Sequence, residues 1–328
     1  MNKYELIDYI LKSSIINKWH WFYYHFSQYQ FGLQHPFAES VVESCLECEE
    51  KITGFAKDMI DNLSYLSGKV KDEGHYQQLL QRLAEILVIK QIVGYNWPDD
   101  TRFLWEEPSE TSKKNPELIV DFNNKRIGVE VKSPSLLNHI RQRSTSEYQL
   151  TERNDFIKTF AKEDFQKQKI VYPRDNVVME FLKSADEKYK GFKERDKDFY
   201  GVLVIVWDDY IYEPITALIS EASGLFTNQS FAKEKGGNIL RFNNVDGVVI
   251  IRHMDQFINA AAEKPLLDNF KHALDYGKPG EFPFKAYIPN PYGKEVPREI
   301  LDCLQANLPD VSWGAEYIPQ NLVFWFHI

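Results

Sequence analysis

Two glutamates and a lysine stand close together in "NPELIVDFNNKRIGVEVKSP", residues 115–134, where two strand-like runs flank an Asn-Asn pair. If Asn123 and Asn124 form a two-residue turn, Phe122 pairs with Lys125, Asp121 with Arg126, Val120 with Ile127, Ile119 with Gly128 and Leu118 with Val129. Glu117 then falls opposite Glu130. Side chains alternate across a strand, so Glu117, Ile119 and Asp121 share one face with Arg126, Gly128, Glu130 and Lys132. The other face, Leu118, Val120, Phe122, Ile127, Val129 and Val131, is wholly apolar and must pack on a core. Like charges opposed in a sheet are unfavourable by about 0.2 to 1 kcal/mol when exposed, and by more when desolvated. A bound cation reverses that sign, and hard divalent ions such as magnesium take carboxylate oxygens together with waters and phosphate oxygens. Lys132 brings an ammonium to the same face, suited to a phosphate oxygen or a developing hydroxide.

The elements around this hairpin decide whether the charges meet. Residues 75–93 carry Tyr76, Leu79, Leu80, Leu83 and Leu87 on one helical face. In the second half of that helix, Glu85 is accompanied by Val88 and Ile92, which places a carboxylate in a segment covered on both sides, costly unless paired or liganded. "TRFLWEE" reads as a strand, "PSETSKKN" as a polar loop, and residues 144–170 as polar and helix-compatible. After the hairpin come an amphipathic helix over 176–192, a continuous apolar strand "FYGVLVIVW" over 199–207, a helix in "PITALISEASGLF" and a strand in "VDGVVIIRH". The order helix, three strands, helix, strand, helix, strand predicts an α/β fold with a mixed central sheet flanked by helices. An N-terminal helical region (1–74), a core (75–262) and a proline-punctuated C-terminal extension (263–328) are the expected divisions of this 328-residue chain.

Composition excludes several classes. A net charge of −9 argues against a protein that coats nucleic acid by bulk electrostatics, though not against a local basic groove. The three cysteines are too few for a disulfide framework and fit a reducing compartment, so an intracellular, cytoplasmic protein is expected. Cys45 and Cys48 share the apolar stripe of a helical region over 38–66 and read as core thiols, since no second ligand pair accompanies them. No stretch reaches the ~18 apolar residues needed to cross a bilayer, and "WHWFYYHF", residues 19–26, reads as an aromatic helix or docking surface. The eight histidines show no HxH or HExxH spacing, and the glycines form neither a Walker A loop nor a dinucleotide fingerprint, which sets aside zinc-hydrolase and nucleotide-binding readings.

"PELIVDFNNKRIGVEVK" resembles the signature of the PD-(D/E)XK, or restriction-endonuclease-like, nuclease superfamily: an acid after proline, then Glu-x-Lys on the next strand. The resemblance spans about residues 75–255. It implies a restriction-endonuclease-like core in which Glu117 is the first motif acid, Glu130 the second metal-ligating acid, Lys132 the catalytic lysine and Glu85 the helix acid. Members usually have aspartate where this chain has Glu117, and Asp121, two residues along, is the alternative. The implied activity is magnesium-dependent phosphodiester hydrolysis, with manganese able to substitute. DNA is the expected substrate, cut by an endonuclease in restriction, defence or repair. An RNA-processing nuclease and a catalytically silent binding or assembly module of the same fold are the alternatives. Arg141, Arg143, Lys183 and Lys188, on segments after the motif, are candidate substrate contacts. A homodimer or a partner subunit is compatible with this reading, and no membrane partner is expected.

Overall fold

The computed structural model describes residues 1–66, 73–107, 115–153 and 170–324. Most of the "PSETSKKN" loop, the larger part of the 144–170 segment and the last four residues of "NLVFWFHI" lie outside the described residues.

The hairpin forms in the expected register. β2 (Leu118–Phe122) and β3 (Lys125–Lys132) pair antiparallel, with Leu118 on Val129, Ile119 on Gly128, Val120 on Ile127, Asp121 on Arg126 and Phe122 on Lys125. Asn123 and Asn124 both take positive φ, 46° and 59°, which is the backbone a two-residue hairpin turn requires and which asparagine tolerates. β1 (Arg102–Trp105) extends this meander on the β2 side. On the other side β3 pairs in parallel with β6 (Phe199–Trp207), and β6 in parallel with β7 (Gly247–Arg252). β8 (Lys285–Pro289) closes antiparallel on β7, and β9 (Ala306–Asn307) follows it. Among the described residues the main sheet therefore has seven strands in the order β1-β2-β3-β6-β7-β8-β9. The chain is α/β with a mixed central sheet, as its element order predicts. β8 was not foreseen: the proline-punctuated C-terminal segment supplies a strand of the main sheet.

A smaller sheet joins β4 (Tyr148–Leu150), β5 (Ile170–Val171) and β10 (Leu322–Phe324). Residues 148–150, expected to be helix-compatible, are thus strand, because the aromatic C-terminal segment pairs with them from more than 170 residues away. Position in the tertiary structure overrides the local polar composition here.

Helices cover the sheet. α1 (Lys3–Lys12), α2 (Tyr23–Ser27), α3 (Pro36–Glu49) and α4 (Phe55–Tyr65) form the N-terminal part, and α5 (Glu73–Val93) carries their core to β3. The single helical region expected over 38–66 is broken into α3 and α4 at Gly54, whose φ of 93° only glycine adopts cheaply. The Glu49 carboxylate accepts from the Gly54 and Ala56 backbone N–H groups at 3.1 and 2.9 Å and caps the new helix. Cys45 and Cys48 are fully buried free thiols, and burial pushes Cys45 up to about 12. In the aromatic segment, His20, Phe22, His25 and Phe26 are buried while Trp19 and Tyr24 are exposed. No helix among the described residues is long and apolar enough to cross a membrane.

Between β3 and β6 run α6 (Leu137–Arg143) and α7 (Asp175–Arg195), and α7 lies along β6. Its seat is a pair of glycines side by side, Gly128 on β3 and Gly201 on β6. The Tyr189 ring lies over them and its hydroxyl donates to the Val202 carbonyl at 2.7 Å. A methyl group at Gly201 would meet this ring and the Asn244 carbonyl oxygen at 2.5 Å. Gly201→Ala is expected to cost about 1 to 3 kcal/mol through overpacking, read as a lower urea midpoint at an unchanged slope. α8 (Tyr212–Ile219), α9 (Met254–Ala261) and α10 (Arg298–Cys303) complete the helical layers.

Candidate active site at the carboxyl ends of the central strands

Glu130 and Lys132 stand at the C-terminal end of β3, level with Leu203 and Ile205 of the parallel strand β6. In open α/β sheets this is the edge where ligands bind. Glu117 immediately precedes β2, and its carbonyl accepts from Glu106 N–H at 3.1 Å, which anchors it beside the meander. Glu130 is fully buried, Glu117 8% exposed and Glu85 2% exposed. Three buried acids, from α5, from the residue before β2 and from β3, thus approach one edge of the sheet.

Each acid is held by cations or amides. Lys132 Nζ lies 2.6 Å from Glu130 Oε1. Lys188, from α7, donates to both Glu130 oxygens at 2.7 and 2.8 Å and lies 3.5 Å from Glu117 Oε1. On α5, Arg82 Nη1 donates to Glu85 Oε2 at 2.6 Å, and Gln81 Nε2 donates to Glu85 Oε1 at 2.9 Å. The same Gln81 amide donates to the Val131 carbonyl at 2.9 Å and accepts from the Ser133 N–H at 2.6 Å. Gln81 therefore ties the acid-bearing helix to the strand that carries Glu130 and Lys132.

The electrostatics follow from burial. Glu117 is pushed up to about 8, first by desolvation and then by the charges of Glu85 and Glu130, against which Lys188 and Lys132 pull. Glu85 is also raised, again chiefly by burial, although Arg82 and Gln81 favour its ionised form. Burial depresses Lys188, yet Glu130 and Glu117 outweigh it and raise the ammonium's pKa. For Glu117 the native state holds a proton that the unfolded chain releases near its ordinary carboxylate value of 4.5. It thus lowers stability as pH rises from about 4.5 to about 8, and the loss levels off above that. Urea denaturation across this range with EDTA present should show a smaller decline for Glu117→Gln than for the wild type, and parallel curves would contradict the shift.

The remaining sequence candidates lie at different places. Asp121 pairs with Arg102 at 2.6 Å at the far end of β2, and Arg126, its cross-strand neighbour, turns to Glu107 at 3.3 Å. Arg141 is exposed and bonds Glu73 at 2.6 Å. Lys183 pairs with Glu180 on its own helix at 2.8 Å. Arg143 is buried, pairs with Asp208 and stacks 3.9 Å from the Tyr210 ring centre. There it joins a polar group that the sequence did not disclose, in which His139 Nε2 lies 2.8 Å from Glu213 Oε1 and Tyr212 donates to Gln149. Gln81 and Arg82 were missed as well. Their signal is the spacing to Glu85, four and three residues along one helix face.

Among the described residues, no group of three or more His, Cys, Asp or Glu side chains is arranged as metal ligands. The acids instead face the protein's own cations. No family model, curated protein or solved structure matches the chain.

Proposed function

We propose that the protein is a metal-dependent nuclease, most simply a DNA endonuclease, with a restriction-endonuclease-like core. The observation that carries this reading is the approach of Glu85, Glu117, Glu130 and Lys132 from three elements to the carboxyl edge of parallel strands, with the carboxylates buried. The strand order supports it: an antiparallel meander, then a helical crossover to a parallel strand.

The donor set suits a hard divalent cation in kind, being three carboxylates without sulfur or imidazole. Glu117 is raised to about 8 first by burial and then by the charges of Glu85 and Glu130, and a bound dication would favour its ionised form. Glu117, Glu130 and Glu85 would hold magnesium or manganese, and a bound divalent ion supplies a water of lowered pKa and neutralises the leaving oxygen. Lys132, beside Glu130 and reaching partly to solvent, would donate to the attacking oxygen or to the charged phosphate of the transition state. Gln81 would keep Glu85 and the β3 end in register while substrate binds.

The test compares cleavage of supercoiled DNA, linear duplex, single strands and RNA with magnesium or manganese, by wild type and Lys132→Ala. Metal-dependent cutting that the variant loses supports the reading, the preferred substrate separating DNA from RNA processing. Equal cutting by the variant overturns the role of Lys132. A catalytically silent assembly module is the second reading, favoured by the pairing of each acid with a cation of the chain. No cleavage of any substrate, together with no cation uptake, would select it.

A further inference from the structure

The Lys188 ammonium lies between Glu117 and Glu130, two of the acids that would hold a divalent cation under the proposed function. Its ammonium lies 2.7 and 2.8 Å from the two oxygens of Glu130 and 3.5 Å from Glu117, so one point charge bridges a carboxylate on β3 and one just before β2. Lys132 contacts Glu130 through Oε1 at 2.6 Å from the same strand. The two lysines thus differ: Lys132 neighbours one acid, while Lys188 joins the pair.

That position is built. Tyr189, the next residue, is fully buried over the Gly128 and Gly201 backbones and bonded to the Val202 carbonyl, which fixes the turn of α7 facing Glu130. The lysine stem beyond that anchor is four flexible carbons ending in a rotatable point charge. An ammonium nitrogen rests near 2.7 Å from carboxylate oxygens, whereas magnesium needs about 2.0 to 2.1 Å and an octahedral shell. A dication drawn between Glu117 and Glu130 would be repelled by the Lys188 ammonium already bridging them, and the more so the closer it came.

We infer that Lys188 is an internal counter-cation: it holds Glu117 and Glu130 together in the metal-free protein and competes with a divalent ion for them, so that metal entry swings its ammonium away. This rests on the reading of the three acids as a divalent-cation site. The competition sets metal affinity, and the Lys188 bridge holds the two acids in place when no metal is bound. Lys188, counted by sequence among substrate contacts, acts here on the acids themselves.

Calorimetric titration of the full chain with manganese chloride, paired with thermal melts in EDTA, tests the idea. Lys188→Met keeps the stem's bulk without the charge, and Lys188→Gln serves if the methionine variant does not fold. Lys188→Met is expected to bind manganese at least ~10-fold more tightly than wild type, a difference of ~1.4 kcal/mol, and to melt lower in EDTA while gaining more from manganese. Lys188→Arg, which keeps the charge, should stay near wild-type affinity. Equal or weaker manganese binding by Lys188→Met, with uptake still lost in Glu130→Gln, overturns the competition and leaves the metal reading standing. No uptake by either wild type or Lys188→Met overturns both.

Discussion

Glu130→Ala is expected to lose about 3 to 5 kcal/mol of stability and to abolish the nucleic-acid cleavage proposed for this site. The loss of stability follows from what remains. Glu130 is fully buried and receives Lys132 at 2.6 Å and Lys188 at 2.7 and 2.8 Å. Removing the carboxylate leaves two ammonium groups without their shared partner in a poorly hydrated place, and breaking a buried pair by deleting one member costs about 3 to 5 kcal/mol. Glu130→Gln keeps the shape and one acceptor oxygen, so its unfolding midpoint should fall between alanine variant and wild type, while its cleavage is lost equally. Urea unfolding at pH 7, with cleavage measured at a temperature where each variant is folded, separates the two effects. An alanine variant as stable as wild type would contradict the burial of this charge group.

Lys132→Ala should behave in the opposite way, keeping the fold and losing the chemistry. Its ammonium contacts a single Glu130 oxygen and its side chain is 21% exposed, while Lys188 still covers both oxygens once it is gone. A partly exposed ion pair contributes about 0 to 1 kcal/mol, so the midpoint should barely move. Loss of one positioned donor to a developing charge lowers turnover by about 10² to 10³-fold. Single-turnover cleavage of a labelled duplex at saturating manganese measures this directly. Lys132→Arg should recover only part of the rate, because a planar guanidinium fork does not replace a compact ammonium at the same spot. A variant with an unchanged rate would remove Lys132 from the chemistry.

The hairpin was legible because its information is local. Two asparagines that accept positive φ fix the turn, the turn fixes the register, and the alternation of Leu118, Val120, Ile127 and Val129 fixes the faces. β6 and β7 announce themselves as apolar runs covered on both sides. Glu85 could be placed in a buried half-helix because Val88 and Ile92 flank its face, and it is 2% exposed. Less was readable where partners come from afar. Lys188 follows Ala185 by three residues and precedes Phe192 by four, at the margin of the apolar stripe of α7, yet its meeting with Glu130 depends on how a crossover helix docks on two glycines. β4, β8 and β10 are short and of mixed composition, and each becomes a strand only through pairing with distant residues. The His139 and Glu213 pair joins helices far apart in sequence, which no spacing rule connects.

The seating of β8 against β7 also orders events in time. While the chain is being synthesised, β7 can find β6 as soon as residue 252 has emerged, but its other side, the Val248–Ile250 backbone, has no strand to pair with until residues 285–289 follow. A nascent chain at that stage presents an apolar strand rim able to capture a neighbouring chain. Completion of the sheet is therefore a late step, and slow translation between these two segments would lengthen the interval in which aggregation competes with folding.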